Sequence, residues 1–138
     1  VVAFCSHRLV GMDGKDSIVP SRIIKNPQVR LAFGNVVSTQ TVLMGRALLG
    51  SGGVQFDEEL PRFQDWDLWL QLLTGKSAVF RHVPAVLATL YRQSDSISVG
   101  RELDRMRALA RILVNRKGFF VSRPPALKRR LTSASPWQ

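Results

Sequence analysis

Asp65 and Asp67 flank Trp66 at the head of a run, Asp65 to Thr74, in which Trp66, Trp69, Leu70 and Leu73 recur at i, i+3, i+4 and i+7. That spacing predicts a helix, and Leu68 and Leu72 widen its apolar face until it is buried on most sides. Pro61 lies just upstream, acids fill the first turn and Gly75-Lys76 closes the run, as helix starts and stops require. A carboxylate in such a first turn faces the positive end of the helix dipole. From a fixed position it can take the proton of an attacking hydroxyl, an assistance of roughly 10²–10⁴-fold. Acids in a first turn also serve simple capping, and the helix taken alone favours that role for Asp65. Asp67 lies nearly opposite Asp65 around the helix, and the two are not expected to share one task.

Two segments extend this pattern. One is Gly53-Val54-Gln55-Phe56-Asp57-Glu58-Glu59-Leu60-Pro61-Arg62-Phe63-Gln64-Asp65-Trp66-Asp67-Leu68-Trp69-Leu70; the other is Tyr91-Arg92-Gln93-Ser94-Asp95-Ser96-Ile97-Ser98. Together they resemble family-2 inverting glycosyltransferases of the GT-A fold, which build bacterial surface polysaccharides and lipid-linked glycans. The second half of those enzymes reads as Asn-x-Ile-x-Thr with a strand, then Gly-Gly-Phe-Asp-Glu-x-Leu. A Glu-Asp-Trp-Asp-Leu-Trp-Leu helix follows, and later Tyr-Arg with Ser-Ile-Ser nearby. The likeness runs in order along residues 1–100.

The resemblance implies that Asp65 is the general base, with Gln64 standing where the family has Glu. It implies that Asn35, Ser38 and Thr39 pass near the acceptor together with Gln64 and Trp66, and that Arg92 reaches the donor diphosphate. From the residues alone, Ser38 and Thr39 are equally ordinary turn hydrogen-bonders, Trp66 and Trp69 mostly pack, and Arg92 is as well read as a surface strand residue. Gln93-Ser94-Asp95 replaces the His that many relatives carry after Tyr-Arg, so that contact is in doubt. The partners implied are a nucleotide-sugar donor and a glycan or lipid-linked acceptor. The cofactor implied is a divalent cation, Mn or Mg, held by the N-terminal nucleotide-binding half, which has no counterpart in this sequence. Asp65-Trp66-Asp67 matches the Asp-x-Asp of that metal site literally. It follows Pro-Arg-Phe-Gln and leads into an apolar helix, whereas the metal motif follows a buried strand and sits in a loop.

The elements that must position these residues read as α/β. Residues 1–10 form a strand running from core to surface, Gly11 to Asp16 a turn, and Pro20 to Pro27 an irregular stretch. Asn35 to Met44 reads as extended with a break near Ser38, and Arg46 to Leu49 as a short apolar turn. Ala78–Val83 and Val86–Tyr91 are two β-type runs joined by Pro84-Ala85. Leu103, Met106, Ala110 and Leu113 stripe a basic amphipathic helix, which is expected to dock on the domain through that stripe. The expected architecture is a partial GT-A fold, a mixed sheet with flanking helices. Residues 1–100 form its acceptor-side half; 101–138 are the basic helix and tail. Such a fragment is expected to be catalytically inactive alone.

Composition limits the alternatives. With 138 residues, 45% of them apolar and 22% charged, the chain can build one core. Cys5 is alone, so no internal disulfide forms, which fits a reducing, cytoplasmic setting. His7 and His82 lack the company a metal site needs, and the glycines at 50–53 lack the spacing of a phosphate loop. Of the net charge of +10, residues 101–138 carry +8, with 10 Lys/Arg against Glu102 and Asp104. Such a tail, with Phe119-Phe120 and Lys128-Arg129-Arg130, suits anionic head groups at the inner face of the plasma membrane. The alternative to a transferase is a non-enzymatic basic module that binds nucleic acid or an anionic surface. No stacking motif accompanies the charge, so nucleic acid is not expected.

Overall fold

The computed structural model describes residues 1–20, 23–49, 54–93 and 102–121. Its elements in chain order are β1 (Val2–Val10), β2 (Asp16–Val19), α1 (Pro27–Leu31), β3 (Val42–Met44), α2 (Gln64–Gly75), β4 (Phe80–Tyr91), α3 (Glu102–Asn115) and α4 (Lys117–Val121). The chain is a small mixed α/β domain with an open sheet flanked by helices. β1 is its axis. β4 runs parallel along its whole length, from Val2↔Phe80 to Val10↔Tyr91. The other edge is shared: β3 pairs antiparallel with Val2, Ala3 and Phe4, and β2 with His7 to Val10.

Short-range chemistry sets the β1–β2 hairpin. The Gly11 N–H donates to the Lys15 carbonyl at 2.7 Å, and Gly14 takes φ 76°, where a side chain would be strained. The two runs expected on either side of Pro84-Ala85 form one continuous strand instead. The register against β1 jumps from Cys5↔Val83 to Ser6↔Val86 and then to His7↔Ala88. Proline has no N–H for the ladder, so it is accommodated in this bulge and pairing resumes beyond it.

Val2 and Phe4 on β1 and Phe80 on β4 turn one face of the sheet toward α2. Trp66, Leu68, Trp69, Leu70 and Leu72 fill that side, and the Trp69 ring meets Phe80 edge-on with centroids 6.0 Å apart. Asn35 to Met44 departs from the extended reading. Only Val42–Met44 joins the sheet, behind a 3-10 turn at Thr39–Thr41. The stretch is drawn onto α2 by the Trp69 indole N–H, which donates to the Val37 carbonyl at 3.2 Å.

The last helices belong to the same core through Ala108, Ile112 and Phe120. This corrects two expectations. The stripe Leu103, Met106, Ala110 and Leu113 faces outward, and α3 docks through the opposite side. There Arg111 holds Asp57 at 2.7 Å and also pairs with Glu59, while Arg116 holds Asp67 at 2.8 Å. A carboxylate as enclosed as Asp67 needs a cationic partner, and meeting that need turns the arginine face inward. Phe120, expected at a lipid surface, is 6% exposed and packs in the core.

Candidate functional site

Helix α2 begins after Phe63, which adopts a left-handed φ of 61° and makes no side-chain cap. The orphan N–H groups of the first turn therefore need another acceptor. Asp65 supplies it: its Oδ1 accepts the Trp66 N–H at 2.8 Å. The other oxygen points to the loop before β3. Oδ2 accepts from Asn35 Nδ2 at 2.8 Å and from the Thr39 hydroxyl at 3.2 Å. Asn35 is itself oriented, because its Oδ1 accepts the Val37 N–H at 3.2 Å. That bond fixes which end of the amide donates to Asp65.

The two tryptophans of α2 secure this loop. The Trp66 indole donates to the Leu31 carbonyl at 2.7 Å and Trp69 to Val37, so one helix face grips the chain on both sides of Asn35. Trp66 is 3% exposed, so its ring offers no open face to a sugar; it contributes by holding the loop. Trp69 acts in the same way, a role that its i+3 spacing from Trp66 signals once Asn35 is known to sit opposite. Asp65, half-exposed as a residue, thus caps the helix with one oxygen while the second bonds to the exposed Thr39. A carboxylate has about four lone-pair positions; three donors are accounted for, which leaves room for one more hydroxyl.

The remaining predicted residues stand apart from this centre. Gln64 is exposed and its amide donates to the Leu60 carbonyl at 2.9 Å. The Ser38 hydroxyl donates to Gln40 Oε1 at 3.1 Å, in the turn that places Thr39. Arg92 is exposed at the end of β4, where its N–H donates to the Val10 carbonyl at 2.9 Å. Ser94 to Ser98, the end of the second motif segment, lies outside the described residues.

Asp65 and Asp67 do not converge. Asp67 is enclosed on the other side of α2, bound by both Arg116 nitrogens at 2.8 Å and by Gln71 Nε2 at 2.8 Å. It is buried and ion-paired with Arg116, away from Asp65, so Asp65-Trp66-Asp67 does not present two converging carboxylates to a divalent cation. Among the described residues no group of three or more His, Cys, Asp and Glu is placed to hold a metal ion.

One further polar cluster lies on the same face of the sheet as Phe4. His82 stacks on Phe4 at 5.0 Å, its Nδ1 accepts the Ile24 N–H at 3.0 Å, and its Nε2 meets Ser6 Oγ at 3.0 Å. Since Nδ1 accepts, Nε2 carries the proton and donates to Ser6. Ser6 in turn donates to the Pro20 carbonyl at 3.3 Å. The histidine is therefore a clamp on the chain before α1, with no basic nitrogen left to activate the serine. Burial lowers its pKa, and that of His7.

Comparison with protein-family models, with curated proteins and with solved structures returns no significant match. No helix among the described residues is long and apolar enough to cross a membrane.

Proposed function

We propose that this chain forms the acceptor-side part of an inverting family-2 glycosyltransferase of the GT-A fold, with Asp65 as the general base. One observation carries the reading. Asn35, Thr39 and Asp65, which the resemblance draws from two separate segments, meet around a single carboxylate at a helix N-terminus. In the reaction the acceptor hydroxyl oxygen attacks the anomeric carbon of a nucleotide-sugar. Its proton passes to Asp65, and the bond from that carbon to the diphosphate breaks on the opposite face, releasing the nucleotide. Asn35 and the Trp66 N–H keep the carboxylate turned toward the acceptor. Thr39, an alcohol already bonded to Oδ2, marks where an acceptor hydroxyl would be received. The donor pocket, with the divalent cation the family uses there, has no counterpart among these residues. On this reading other parts of the enzyme supply it, and Arg92 faces its diphosphate.

The rival reading, a basic module for nucleic acid or an anionic surface, draws on the +8 of residues 101–138. Part of that charge is engaged within the fold, because Arg111 and Arg116 grip carboxylates that lie outside this stretch. The deciding experiment is sugar transfer by the longest natural protein carrying this sequence, wild type and Asp65→Asn. Nucleotide release is followed over a panel of nucleotide-sugars with manganese or magnesium present. The expected result is turnover by the wild type and a loss of about 10²-fold or more in the variant, with donor binding retained. Full activity of Asp65→Asn would leave it a capping residue only.

A further inference from the structure

On the Asp67 side of α2 the fold leaves an open cleft of about 730 Å³, lined by Gln55, Phe56, Asp57, Glu58, Gln71 and Arg116. That volume lies within the range of small-molecule sites, about 300–1,000 Å³. Its walls come from three places in the sequence: the segment before α2, α2 itself and the junction of α3 with α4. Side-chain bonds hold each wall. Gln71 clamps the Gln55 backbone with both ends of its amide, Nε2 donating to the carbonyl at 2.8 Å and Oε1 accepting the N–H at 3.3 Å. Asp57 accepts from Arg111 Nε at 2.7 Å and from the Glu59 N–H at 3.1 Å. Arg116 is fixed by Asp67, which takes its Nε and Nη2 at 2.8 Å each. The lining is therefore organised before any ligand arrives, which lowers the cost of binding one.

The groups left unengaged on these walls select the ligand. Phe56 is 48% exposed, although the other wall residues are all polar. Glu58 is exposed and makes no hydrogen bond or ion pair among the described residues, and Arg116 Nη1 meets no acceptor among them. Acceptors and donors thus stand side by side around an aromatic ring. An anion would face Asp57, Glu58 and the neighbouring Glu59, with Arg116 already neutralised by Asp67. A cation would face Arg116 itself. A neutral ring of hydroxyls suits both kinds of group, because each hydroxyl donates and accepts, and the C–H face of such a ring is apolar surface for an aromatic side chain to cover. We propose that this cleft is a carbohydrate-binding site that takes one neutral pyranose unit, packed on Phe56 and hydrogen-bonded by Gln55, Glu58 and Arg116. It shares no residue with the group formed by Asn35, Thr39 and Asp65 and does not depend on their role.

The test is a titration of the ¹⁵N-labelled 138-residue chain with glucose, galactose, mannose and N-acetylglucosamine, and with cellotetraose, maltotetraose and chitotetraose, followed by amide NMR. The expected result is saturable shifts of the Gln71 side-chain amide and of the Gln55 to Glu58 backbone amides, at about millimolar concentration for a single ring. Phe56→Ala should weaken binding about tenfold and Glu58→Ala about fivefold. Both side chains are exposed, so the unfolding midpoint should stay where it is. Wild-type affinity in both variants would overturn the proposal, as would the absence of shifts with every sugar. Shifts confined to Asn35 and Thr39 would overturn it too, placing the sugar at Asp65 alone. Tighter binding of inorganic phosphate or of spermidine in the same cleft would make it an ion site instead.

Discussion

Arg116→Ala should be among the most damaging single substitutions outside the apolar core. The Asp67 side chain is 1% accessible and takes both Arg116 nitrogens at 2.8 Å, with Gln71 as its other side-chain donor. Removing the guanidinium leaves a carboxylate in the interior with one neutral hydrogen bond. Breaking a buried pair from one side costs about 3–5 kcal/mol. Arg116 is 25% exposed, so water can enter the space it leaves, and the expected loss is about 2–4 kcal/mol. Asp67→Asn is the milder half of the pair. It removes the charge that is enclosed and leaves unpaired the one that reaches solvent, for about 1–2 kcal/mol. The double variant should therefore cost less than the two losses added, by about 1–3 kcal/mol. Urea unfolding followed by Trp66 and Trp69 fluorescence reads all three, as shifts in midpoint at constant slope. Domains of this kind have only about 5–15 kcal/mol in total, so the shift would be plain. A loss below about 1 kcal/mol for Arg116→Ala, or a larger one for Asp67→Asn, would refute the argument.

Trp66→Phe keeps most of the ring but strands the Leu31 carbonyl, and should cost about 2 kcal/mol by the same unfolding assay; no change would mean that water replaces the indole. Asn35→Ala removes one donor from Asp65 and the acceptor of the Val37 N–H. In the full enzyme it should lower kcat about tenfold while moving the unfolding midpoint little, and a purely structural role would reverse that pattern. Acid should weaken the fold through its histidines. Burial sets His7 and His82 below the ordinary value of 6.5, so the folded state binds fewer protons than the unfolded one. Stability is then complete above about pH 6.5 and falls as pH drops beneath it. His82→Gln should flatten part of that fall in thermal melts between about pH 7 and pH 5, and an unchanged slope would clear His82 of the effect.

The elements that carried strong periodicity were legible from residue types alone. β1 spans Val2–Val10 where an apolar-to-alternating run predicts a strand, and α2 spans Gln64–Gly75 where the tryptophan and leucine spacing predicts a helix. The grouping of Asn35 and Thr39 with Asp65 came from the motif resemblance; neither periodicity nor spacing could have supplied it, since 30 residues separate Asn35 from Asp65. What escaped was decided between distant segments. The valines and threonines after Asn35 suit a strand, yet Val37 gives its carbonyl to Trp69 and the chain before Val42 leaves the sheet. Proline at 84 suggests a break, yet a bulge absorbs it because β1 offers pairing on both sides.

α3 is the most informative miss, because its apolar periodicity was read correctly and its orientation was not. A hydrophobic stripe ordinarily marks the face a helix buries. Here that rule competes with the requirement that Asp67 be neutralised within the core. Leaving a stripe of five aliphatic side chains in water forgoes a favourable burial, but an unpartnered carboxylate in the interior costs more than any one of them returns. Arg111 on α3 and Arg116 just past its end answer Asp57, Glu59 and Asp67 at once, away from the stripe. The helix therefore seats on its charged side, and its apolar side is left exposed. Single-helix patterning cannot reveal this, since the deciding residue lies 49 positions away on α2.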